Sequence, residues 1–64
     1  MTSKEEMHLN CLLIEAFVKT LIMKGVTSNE KIVAEVDERF HPETPEEMEA
    51  YSEAIIYGKL GTLN

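Results

Sequence analysis

A helix that is apolar almost all the way round constrains this chain more than any other feature. The stretch LLIEAFVKTLIM, residues 12–23, confines its apolar residues to no single face. At about 100° per residue, Leu9, Leu13, Ala16, Phe17 and Leu21 cover one broad side, which Leu12 and Met23 extend. Met7, Cys11, Ile14, Val18 and Ile22 cover the neighbouring side. Only His8, Glu15 and Lys19 line up as a polar strip. A helix of this kind is buried on nearly every side or waits for something to bury it. A 64-residue chain makes one domain and hides only about 60% of its unfolded surface. Cys11 is its sole cysteine, so no internal disulfide can add support. The remaining support is a partner chain, the alternative being that helix 1 is simply the central helix of a three-helix monomer. The pattern therefore predicts that two further helices cover the first side. Met7, Cys11, Ile14, Val18 and Ile22 are then left for a second copy or another protein.

Capping signals divide the chain into three helices. Helix 1 is predicted over about residues 4–24, starting from Ser3 with Glu6 or from Thr2 with Glu5, either pair fitting a capping box. Lys24 and Gly25 supply a terminal cation and a glycine stop. Thr27 with Glu30 suggests a second capping box, and Val26 a hydrophobic staple, for helix 2 over about 28–40. Its stripe is Ile32, Val33, Val36 and Phe40, and His41-Pro42 ends it. Thr44, Pro45 and Glu47 mark the start of helix 3, with Met48, Tyr51 and Ile55 as its stripe. Gly58 reads as a stop, giving helix 3 about 45–57 and a short tail KLGTLN, with Leu60 tucked against the helices. Nothing alternates with a strand period. The fold expected is all-α, a single helical domain over 1–64, dimeric through helix 1.

Charge excludes several partners. Residues 1–27 carry three lysines against three glutamates, whereas residues 28–64 carry three cations against nine acids, so the whole net charge of −6 lies in the second part. Direct nucleic-acid binding needs clustered Lys and Arg, and anionic membrane surfaces need the same; neither is expected. The apolar run is broken by Glu15, Lys19 and Lys24, short of the ~20 residues of a membrane span. No secretory leader is expected, and the predicted location is the cytoplasm, that of the host if a phage encodes the chain.

Catalytic chemistry has little to stand on. His8, Cys11 and His41 lack the spacing of a zinc site. Cys11 has no visible base and reads as a small hydrophobe. There is no glycine-rich phosphate loop. No metal, no cofactor and no enzymatic activity are expected. Glu46, Glu49 and Glu53, with Glu35 and Glu38, form either a solvated face or an acidic recognition surface.

The run LLIEAFVKTLIMKGVTSNEKIVAEVDERF resembles a hairpin seen in many small phage and bacterial proteins: an aliphatic helix, a Lys-Gly-aliphatic turn, a Thr/Ser cap, then a second helix. It is also similar to the N-terminal helical arm of nitrile hydratase alpha subunits. In that family the arm implies subunit contact, while catalysis belongs to a cysteine-rich metal motif that this chain lacks. The resemblance thus implies a contact role. The expected function is a small acidic non-enzymatic interaction module, a regulator or inhibitor of an unidentified protein partner and also a homodimer. The alternatives are a structural part of a larger assembly, such as a phage particle or enzyme complex, and a nucleic-acid mimic blocking a DNA-binding protein.

Overall fold

The computed structural model describes residues 3–62, and these form three helices: α1, Lys4–Met23; α2, Asn29–Phe40; α3, Pro45–Thr62. Tertiary contacts give their order in space. Asn10 meets Tyr51, Cys11 meets Ala50, and Val18 meets Gly58, so residue numbers rise together and α1 and α3 run parallel. The short α2 runs back between their ends. Lys59 of α3 donates to Asn29 at its start, and Phe40 at its end packs on Phe17. The α1–α3 contact is much the most extensive of the three.

Local chemistry explains most of the boundaries. Ser3 caps α1, its hydroxyl accepting from the Glu6 amide at 3.1 Å. Thr2, the alternative cap, lies outside the described residues. At the other end Gly25 takes φ +94°, a conformation that costs glycine little. Gly25 N–H donates to Ile22 at 3.0 Å and Val26 N–H to Leu21 at 2.9 Å. Both bonds of a Schellman motif are thereby made, and Val26 and Leu21 are both packed against the core.

Helix α2 begins one residue later than expected. Ser28 is its cap residue, with no side-chain cap bond, which places Glu30 too early in the helix to complete a box with Thr27. Val26 belongs to the end of α1 and not to a staple on α2. His41 ends α2 in the left-handed region, at φ 48°.

The start of α3 matches its sequence signature. Glu47 N–H donates to Thr44 Oγ1 at 3.1 Å, and Glu47 Oε1 accepts from Thr44 N–H at 3.1 Å. The end of α3 differs. The helix passes through Gly58 and Gly61 to Thr62, so KLGT is helical. Gly58 is buried against α1: a Cβ there would stand 2.8 Å from Val18 Cβ and 3.0 Å from the Glu15 carbonyl oxygen. It is a contact residue and not a terminator.

The core consists of Ile14 and Val18 from α1, Ile32 and Val36 from α2, and Tyr51, Ala54 and Ile55 from α3. Phe40 bridges the helices edge-on, 6.2 Å from the Phe17 ring and 6.3 Å from the Tyr51 ring, a favoured aromatic arrangement. Arg39 lies over the outer part of this cluster, 5.1 Å from the Phe17 centroid. The whole measures 33 × 20 × 14 Å.

Candidate interaction surface

Ile14 and Val18, expected at an interface with another chain, are fully buried by the chain's own helices. Met7, Cys11 and Ile22 are partly buried against the same core. The second side of α1 thus faces α3. The cause lies in α3, whose inner face carries Ala50, Ala54 and Gly58 at four-residue spacing. Small residues at that period admit the branched Ile14 and Val18 side chains at close range. The extra turn to Thr62 carries this contact along α1 as far as Ile22.

With that side taken, the other is left outside. Leu9, Leu12 and Leu13 are more than half exposed, Met23 is 84% exposed, and Ala16 is exposed between them. By helical angle this strip lies opposite Ile14 and Val18. Phe17 and Leu21, at its border, pack inward under α2. The two apolar sides read from the sequence are both present; the one expected outward is packed inward, and the one expected inward is exposed except for Phe17 and Leu21.

A second exposed apolar group occupies the outward face of α3. Ile56, Tyr57 and Leu60 are each more than half exposed; Leu60 does not tuck inward. Glu46, Glu49 and Glu53 are exposed and share this face toward its N-terminal end. The acidic side chains therefore run directly into apolar ones. Sequence reading placed the acids away from the Met48, Tyr51 and Ile55 stripe and held Ile56 and Tyr57 within helix 3, but it ended the helix before Leu60 and did not join the acids to the apolar part.

The polar groups near the core act structurally. Asn10 donates from Nδ2 to the Tyr51 hydroxyl at 2.9 Å. Cys11 is half-buried, its thiol directed at the Ala50 carbonyl oxygen at 3.7 Å. Burial lifts that thiol above its ordinary pKa, and the Glu15 and Glu53 carboxylates push the same way. Both effects favour the protonated thiol over the thiolate. Glu47 is buried, and its Oε1 also accepts from the Glu43 amide at 3.1 Å and the Thr44 hydroxyl at 3.2 Å. Among the described residues, no three His, Cys, Asp or Glu side chains converge as a metal site, and no helix is long and apolar enough to cross a membrane. In comparison with known proteins, the chain matches no family model, no curated protein and no solved structure.

Proposed function

We propose that this protein is a small acidic non-enzymatic interaction module that regulates or inhibits another protein by docking on it. The observation that carries this reading is the placement of its exposed large apolar side chains. Apart from Met48, they are not scattered, as single exposed apolar residues normally are, but grouped on the outward faces of α1 and α3. Grouping of this kind marks contact surfaces.

The outward face of α3 is the better candidate for a foreign partner. Its acidic part, Glu46, Glu49 and Glu53, favours a basic surface, and Ile56, Tyr57 and Leu60 supply the apolar anchor beside it. Acids at the rim steer encounter, while desolvated apolar and aromatic side chains supply most of the affinity.

The test is capture from a lysate of the source cell with the full chain as bait, beside two variants. Ile56→Glu with Leu60→Glu alters only exposed positions, so the helical circular dichroism should be retained. Proteins held by the parent chain should be lost by this variant. Glu46, Glu49 and Glu53 changed together to Gln should weaken capture and flatten its salt dependence. An identical set of captured proteins for parent and variants would remove α3 from the reading.

A further inference from the structure

We propose that the outer strip of α1 is covered by the same strip of a second copy of this chain, the two α1 helices lying antiparallel across a two-fold axis. The inference rests on the reading of the protein as an interaction module and identifies the occupant of one of its two surfaces.

Charge selects the copy and the face. Residues 1–27 are neutral in sum, and the rest of the chain holds the full −6. Two copies meeting through α2 or α3 would bring like charge against like charge. Meeting through α1 directs both acidic faces outward. The strip itself, Leu9, Leu12, Leu13, Ala16 and Met23, is uncharged from Leu9 to Met23, and the exposed Glu5 continues it at the N-terminal end of α1.

Charge also selects the direction. Glu6 near the start of α1 and Lys24 at its end are both exposed and, at about 100° per residue, lie on the same flank of the strip. A two-fold axis passing between Leu13 and Ala16 brings Glu6 of each copy beside Lys24 of the other. Leu13 then meets Ala16 of the other copy near the centre. A parallel pair would set Glu6 level with Glu6 and Lys24 level with Lys24 on opposite flanks of the seam, and neither would meet the other's charge. The helix dipoles favour the antiparallel pair as well.

The size is sufficient. Leu9, Leu12 and Leu13 are 57%, 51% and 58% exposed, and Met23 is 84% exposed. Doubled across the axis, such a strip hides on the order of 1,000 Å², the lower bound for a specific interface. The expected dimer is therefore of micromolar strength and self-complementary, as a two-fold contact requires.

Sedimentation equilibrium of the full chain, from about 1 to about 100 µM, should show the mass rising from 7.3 kDa toward twice that value. A mass fixed at the monomer value throughout overturns the inference. Leu13→Glu, at an exposed position, should retain the helical signal and weaken association by about a hundredfold or more, since it places two like charges near the axis. The direction is tested by charge exchange. Glu6→Lys alone and Lys24→Glu alone should each weaken association by roughly fivefold, and the two together should restore it. Single exchanges without effect overturn the antiparallel arrangement, because a parallel pair is indifferent to them. A monomer whose α3 variants still lose captured proteins overturns the second copy and leaves the module. A dimer whose α3 variants lose nothing supports the second copy and removes the foreign partner.

Discussion

Glu47 shows how much one side chain can hold in so small a protein. Its carboxylate is buried at the start of α3, and a single oxygen accepts from two backbone amides and a hydroxyl. Hydrogen bonds to a charged acceptor are stronger than neutral ones, and removing the acceptor strands its donors. Glu47→Ala should cost about 2–3 kcal/mol, against the ~3–5 kcal/mol that a core of this size supplies. A urea melt followed by circular dichroism checks it; a midpoint shift smaller than that of Thr44→Ala would contradict the prediction. Thr44, Pro45 and Glu47 were legible in the sequence because their chemistry is complete within four residues. Asn10 was not, since its partner Tyr51 is 41 positions away.

Glycine illustrates the same divide at the scale of the helix. Gly25 was read as a stop and is one, because the Schellman bonds that need it lie next to it in the chain. Gly58 carries the same residue type after a similar apolar run, yet α3 continues through it. Its role is set by Val18, on another helix. A methyl group at Gly58 would stand 2.8 Å from Val18 Cβ and 3.0 Å from a backbone oxygen of α1. Neither neighbour is the loose end of a flexible side chain. Alanine is the better helix former by about 1 kcal/mol, but overpacking costs about 1–3 kcal/mol. Gly58→Ala should therefore destabilise or at best be neutral, and Gly58→Val should prevent folding, both read from thermal melts. A clear gain for Gly58→Ala would mean that the helices pack further apart. The two-sided pattern of α1 was visible in the sequence. Which side turned inward depended on the Ala50, Ala54, Gly58 series, whose meaning is plain only once α3 is known to run to Thr62.

For the molecule as a whole, size sets the terms. A compact 7.3 kDa globule exposes about 4,200 Å² by the usual scaling, and this one exposes 4749 Å². The surplus, roughly 500 Å², approaches one partner's share of a modest interface. If the α1 strips pair as proposed, the fold gains stability from association, since whatever binds only the folded form shifts the equilibrium toward it. The thermal midpoint of the parent chain should accordingly rise by several degrees between about 5 and about 200 µM, while that of Leu13→Glu should stay level. Differential scanning calorimetry at the two concentrations decides it, and a level midpoint for the parent chain counts against coupling between folding and association. That three short helices would leave apolar side chains exposed was legible from length and apolar content alone, because it is a matter of surface and volume.

The parallel course of α1 and α3 has a mechanical consequence. Ser3 lies at the pole where α3 begins and Thr62 at the pole where α1 ends, so the two limits of the described chain leave from opposite ends of a body 33 Å long. Tension applied between them drags α1 one way along its axis and α3 the other. The seam through Ile14, Val18, Ala54 and Gly58 is then loaded lengthwise, with its interlocked side chains resisting together instead of parting one at a time. Built into a longer thread, the domain would behave as a strut and not as a zipper.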